Sequence, residues 1–126
     1  MVVDTSAVLA VFFDEPHASW AAEALNAYAG ELRMSTVNLA EALILVKDRQ
    51  PHLANQLESM LLDAGMRFVA PDVEQARLAA DARLRYPLNL GDCFAYALAV
   101  AEDCAILTLD DDFCHIDRPL VMPPKS

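Results

Sequence analysis

Short β-branched apolar runs alternate along the chain with longer stretches whose apolar residues recur at helical spacing. Met1 to Val3 reads as a first strand, and Thr5 and Ser6 offer N-cap hydroxyls to a short helix over Ala7 to Phe13. Pro16 opens a second helix running to about Tyr28, and Gly30 ends that segment. Leu32 to Ser35 reads as a second strand, with Thr36 capping a helix that reaches about Arg49. Pro51 starts a further helix to about Asp63, and Met66 to Ala70 forms a third strand. Pro71 and Asp72 cap a helix to about Arg85, Gly91 and Asp92 open a strongly apolar helix to Asp103, and Ala105 to Leu109 is the fourth strand.

Strands separated by helices of this length run parallel, because such a crossover returns the chain to the same edge of the sheet. The expected fold is therefore α/β, one domain spanning residues 1–126, without internal repeat, linker or low-complexity segment. Ligands of open parallel sheets bind beyond the carboxyl ends of the strands, so chemistry is sought there.

Composition narrows the class. The chain has 126 residues, 56% of them hydrophobic, ample for one packed core. Its longest uninterrupted apolar stretches, Ala7 to Phe13 and Phe94 to Ala101, fall well short of the ~18 residues a membrane span needs. The amino end has no basic region and Asp4 interrupts its apolar start, which points away from a signal peptide and towards the cytoplasm. Cys93, Cys104 and Cys114 are odd in number and form no CxxC pair, as expected of reduced thiols. Cys114 beside His115 is a poor zinc signal, since adjacent side chains seldom converge on one tetrahedral ion.

Four acids stand where the pattern turns a corner: Asp4 after the first strand, Glu41 in the helix after the second, Asp92 opening the helix before the fourth, and Asp110 just past the fourth. All four can face one end of the sheet. Hard divalent cations such as Mg²⁺ take oxygen ligands, and a cluster of carboxylates is tolerable when a cation offsets their repulsion. Singly, each has an ordinary reading: Asp4 as a strand-end acceptor, Asp92 as a cap, Asp110 as part of a solvated DDD turn. Glu41 is harder to set aside, because Val37, Ile44 and Leu45 surround it on its helix and such a carboxylate needs a partner. Asn38, one turn earlier, shares that polar stripe.

DTSA at 4–7, the acid of NLAEAL at 41, LGDCFAYALA at 90–99 and LTLDDDF at 107–113 together resemble the PIN-domain ribonucleases. Within that family the chain is most similar to the VapC toxins of prokaryotic toxin–antitoxin pairs, in matching order over essentially its whole length. The resemblance implies a three-layer α/β/α sandwich with a central parallel sheet. It also implies Mg²⁺- or Mn²⁺-dependent endoribonuclease activity, a VapB-like protein antitoxin and a homodimer. By position it assigns Asp4, Glu41, Asp92 and Asp110 as metal ligands and catalytic acids. Ser6 and Thr108 match recurrent hydroxyl positions near the metal, and Asp112 sits where some members carry a further acid. The reaction implied is hydrolysis of an RNA phosphodiester, with a carboxylate such as Asp92 or Glu41 orienting water or taking its proton. Ser6 and Thr108 have no histidine placed to serve them as a base, and His17, His52 and His115 lie outside the motifs.

One property cuts against an RNA substrate. The formal charge is −10 and the pI about 4.4, whereas nucleic-acid binders usually show a basic face. Arg77 and Arg85 on one helix face, with Arg33, Lys47, Arg49 and Arg83, are the available phosphate contacts. The acidity suits a basic antitoxin. Two rival readings are a receiver-like phosphoacceptor domain, which would want an acidic pair after the first strand where Thr5 and Ser6 stand, and a non-catalytic PIN-like binding module. For the dimer, Phe12, Phe13 and Trp20 are expected to supply exposed apolar surface.

Overall fold

In the computed structural model, which describes residues 1–124, five parallel strands form one sheet in the order β3-β2-β1-β4-β5. The strands are β1 (Val2–Val3), β2 (Arg33–Ser35), β3 (Arg67–Val69), β4 (Ile106–Leu107) and β5 (Leu120–Val121). Six helices connect them: α1 (Thr5–Phe12), α2 (Ala18–Ala27), α3 (Thr36–Arg49), α4 (Ala54–Asp63), α5 (Val73–Arg85) and α6 (Leu90–Glu102). Alternation along each strand sends successive side chains to opposite faces. Val3 and Leu107 enter a core with Val8, Met34, Val46, Leu57 and Leu61, under α1 to α4. Val2 and Ile106 enter the other, with Ala79, Ala82, Leu98 and Phe113, under α5 and α6. Helices thus cover both faces, the arrangement a parallel sheet requires, and the three-layer α/β/α expectation holds.

Several local expectations are corrected. The cap of α1 is Asp4, whose carboxylate accepts from the Ser6 N–H, and not the Thr5 or Ser6 hydroxyl. Ser35, not Thr36, caps α3. Asn89 caps α6 in a reciprocal capping box with Asp92, so the helix begins before Gly91. Pro51 starts a 3₁₀ turn over Pro51–Leu53 before α4 begins at Ala54. The edge strand β5 was not anticipated; Pro119 and Val121 carbonyls accept from Ile106 and Thr108 N–H groups and add it to β4. Phe12, Phe13 and Trp20 are half-buried against the core rather than exposed. The exposed large apolar side chains are instead Ile44, Leu45, Leu62, Val73, Leu84 and Leu90.

β1 and β4 are neighbours, with Val2 opposite Ile106 and Val3 opposite Leu107. To one side of this pair the chain runs β1 to β3, to the other β4 to β5, so the order reverses between them. A crevice opens at such a switch point beyond the strand ends.

Candidate metal centre

Asp4 and Thr108 leave adjacent strands at that crevice, both buried. The Asp4 Oδ2 accepts from Thr108 Oγ1 at 2.9 Å, from Ser6 Oγ at 2.8 Å and, at 3.4 Å, from the Ser6 N–H. Each hydroxyl also accepts a backbone donor: Thr108 Oγ1 from Asp110 N–H at 3.0 Å, Ser6 Oγ from Leu109 N–H at 2.9 Å. Both hydroxyl protons are therefore spent on one oxygen of Asp4, which fixes its orientation and leaves neither residue set up as a nucleophile. The other oxygen, Asp4 Oδ1, is buried with no hydrogen-bond partner.

Asp4, Glu41, Asp92 and Asp110 line one cleft of about 240 Å³, with Thr5, Ser6, Leu9, Leu45 and Asn89. Its wall holds no basic side chain among the described residues. At the rim of the cleft, carboxylate oxygens of Asp92, Asp110 and the exposed Asp112 all lie within 4.8 Å of one another. Asp112, expected near the ligands, thus stands beside Asp92 and Asp110. It is placed there by a 3₁₀ turn over Asp111–Phe113, capped by Asp110, whose carboxylate accepts from the Asp112 N–H at 2.9 Å. Asp4 and Glu41 border the same space outside that triple.

The electrostatics follow from this crowding. Burial, and then the charges of Asp4, Asp110 and Glu41, push the Asp92 carboxyl up from 3.8 to about 7, against the bond it accepts from the Asn89 N–H. Asp4 is raised as well, by burial first and by Glu41, despite the bonds from Ser6 and Thr108 that favour its charged form. Carboxyls held above their ordinary range, an orphaned buried oxygen and an all-oxygen donor set fit a hard divalent cation.

Two polar residues that the sequence pattern did not single out for the site take part. Thr5 donates to Glu41 Oε1 at 2.5 Å, and Asn89 both caps α6 and lines the cleft. His17, His52 and His115 are exposed and away from the cleft. The three cysteines are unpaired, with Cys93 buried and Cys114 exposed.

A family model described as PIN domain matches residues 1–119. Ribonuclease VapC42 of Mycobacterium tuberculosis is 37% identical over 94% of this chain and 98% of its own length. Among solved structures, the Mycobacterium tuberculosis toxin VapC20, described as cleaving the sarcin-ricin loop, superposes with a TM-score of 0.82 at 18% identity. That match covers 97% of this chain and 98% of the other. A toxin–antitoxin complex from Klebsiella pneumoniae gives a TM-score of 0.77 at 22% identity, covering 99% and 98%. At those identities the structural matches show a shared fold.

Proposed function

The chain belongs to the PIN-domain family, and we propose that it is a divalent-metal-dependent endoribonuclease acting as the toxin of a toxin–antitoxin pair. The observation that carries this reading is Asp4 Oδ1, buried and unpartnered in a cleft lined by three more acids and no base. A cation bound there would satisfy that oxygen and offset the repulsion around it.

The residues divide the work by position. Asp4, Glu41, Asp92 and Asp110, which line one cleft, would hold the ion, with Asp112 beside Asp92 and Asp110. Ser6 and Thr108 fix Asp4 through their hydroxyl protons. Oxygen-only donors favour Mg²⁺ or Mn²⁺ over softer metals. When bound, the ion would offset charge on the scissile phosphoryl group and acidify an attacking water. Asp92 or Glu41 would orient that water or take its proton.

The partner reading rests on charge. A chain at −10, with its acids gathered at one end of the sheet, attracts a basic protein, and a VapB-like antitoxin is the proposed inhibitor. No helix among the described residues is long and apolar enough to cross a membrane, and a cytoplasmic location is proposed. A homodimer is proposed through the exposed Ile44, Leu45 and Leu90 surface next to the cleft. The receiver-like alternative is disfavoured by the strand order, since receiver domains run 2-1-3-4-5 and this sheet runs 3-2-1-4-5.

Cleavage-site mapping on total cellular RNA, with the wild-type chain and Asp92→Asn in Mn²⁺ or in chelator, tests the proposal. Cuts that need both the metal and Asp92 are expected. Purified, folded wild type that makes no metal-dependent cut would leave the non-catalytic binding module standing.

A further inference from the structure

Resting on that metal-site reading, we propose that Thr5 is a positioning residue for Glu41, held in turn by Asn38, and that Gly91 supplies the space the Glu41 carboxylate occupies. Thr5 is buried in the first turn of α1, and Glu41 lies mid-way along α3, which packs on α1. A hydroxyl has a single proton to give. Thr5 Oγ1 lies 2.5 Å from Glu41 Oε1 and 3.3 Å from the Asn38 carbonyl, so the shorter, charge-assisted bond takes the proton. The Asn38 amide donates to Thr5 Oγ1 at 3.4 Å and to the Gly91 carbonyl at 3.0 Å, which fixes Thr5 from behind and ties α3 to α6. Asn38 itself is fully buried.

Gly91 closes the arrangement from the other side. A Cβ at this position would fall 2.8 Å from Glu41 Cδ and collide with both carboxylate oxygens. Gly30 and Gly65 have positive φ, whereas Gly91 does not, so backbone conformation does not call for glycine here. What calls for it is the volume of the carboxylate, seated against the first turn of α6, where the helix end favours negative charge. A flexible side chain on a half-exposed stretch of α3 is thereby held in one place by a donor, a wall and a helix terminus.

The test is Mn²⁺ affinity by calorimetry on the full chain, with metal-free melting as the check on folding. Thr5→Val should weaken binding by about tenfold or more, the usual effect of losing a partner that orients a ligand. Thr5→Ser, which keeps the hydroxyl, should restore it. Gly91→Ala should weaken it comparably while leaving Thr5 in place, and it carries the test if Thr5→Val fails to fold. In a Glu41→Gln background, Thr5→Val should add less than about a twofold change, because the two act through one group. Wild-type affinity in Thr5→Val or in Gly91→Ala would overturn the proposal, as would Thr5→Ser binding no better than Thr5→Val. A full tenfold loss persisting in Glu41→Gln would overturn it too. Wild-type chain that binds no Mn²⁺ would instead remove the metal-site reading, and this proposal with it.

Discussion

Replacing Asp92 by Asn should stabilise the metal-free protein and destabilise the metal-loaded one, relative to wild type. Carrying the Asp92 carboxyl from 3.8 to about 7 corresponds to about 4 kcal/mol for a dry site. Solvent in the open cleft cuts this to about 2 kcal/mol. The sign follows from proton binding: between pH 3.8 and about 7 the folded chain holds a proton on Asp92 that the unfolded chain has released, so stability falls as pH rises through that window. The variant lacks this penalty. In chelator near pH 7.5 its melting temperature should exceed that of wild type by roughly 4–8 °C, and the gap should shrink towards pH 4. With Mn²⁺ at about 100 times its dissociation constant, wild type should gain about 2.7 kcal/mol and overtake the variant. Calorimetric or fluorescence melts at several pH values, with and without metal, give all four quantities. A variant less stable than wild type in chelator at neutral pH, or a wild-type melt indifferent to millimolar Mg²⁺ and Mn²⁺, would refute the argument that these acids repel one another and share a cation.

Asp110→Asn should lower RNA cleavage by more than about 100-fold, beyond what outer partners of a metal site usually cost, whereas the exposed Asp111→Asn should retain activity. Equal, modest losses in both would mean a merely acidic loop. Ile44→Glu, at a side chain 66% exposed, should convert a dimer to a monomer in light scattering while leaving the metal-dependent rise in melting temperature. An unchanged dimer would place the interface elsewhere. Expression of wild type alone should arrest growth, with relief by a small basic partner encoded beside it; harmless, soluble overexpression would count against the toxin role.

The acids were legible because each interrupts an apolar run at a strand end or on an apolar helix, and the parallel sheet then gathers strand ends together. Asp4, Glu41, Asp92 and Asp110 accordingly share one cleft. Thr5 was not legible in its role, since a hydroxyl beside a helix start reads as a cap, and its partner Glu41 arrives from another helix. Asp112 depended on the 3₁₀ turn that folds the DDD run back on itself. β5 escaped because Leu120 and Val121 lie between Pro119 and Pro123, which reads as loop; Pro119 stands just before this edge strand, where its carbonyl accepts from the Ile106 N–H and no N–H is called for. Phe12, Phe13 and Trp20 read as exposed because periodicity on one helix does not show what a neighbouring helix covers.

The distribution of charge explains how so acidic a chain can act on RNA. Arg33 and Arg67 stand at the starts of β2 and β3 and share Glu102 at the end of α6, while Arg118, just before β5, pairs with Asp103. Arg49 and Arg85 close α3 and α5 and pair with Glu15 and Asp117. α3 leaves the end of β2 and α6 leaves the cleft, both running back towards the strand starts, so Arg49, Arg33, Arg67 and Arg118 lie at the amino end of the sheet, whereas Arg85 is joined by residues 86–89 to the start of α6. Arg33 and Arg49, expected as phosphate contacts, are therefore neutralised far from the site. The cleft wall holds the acids and, among the described residues, no basic side chain, which repels phosphate and adds to the burial that raises Asp92 and Asp4. A bound divalent cation would offset part of that charge and offer phosphate oxygens a positive partner where the substrate must sit, so the carboxylates that repel RNA without metal would hold the ion that attracts it. A basic inhibitor would meet the same field, and cationic side chains offered to that end would compete with metal and substrate for one patch of negative charge.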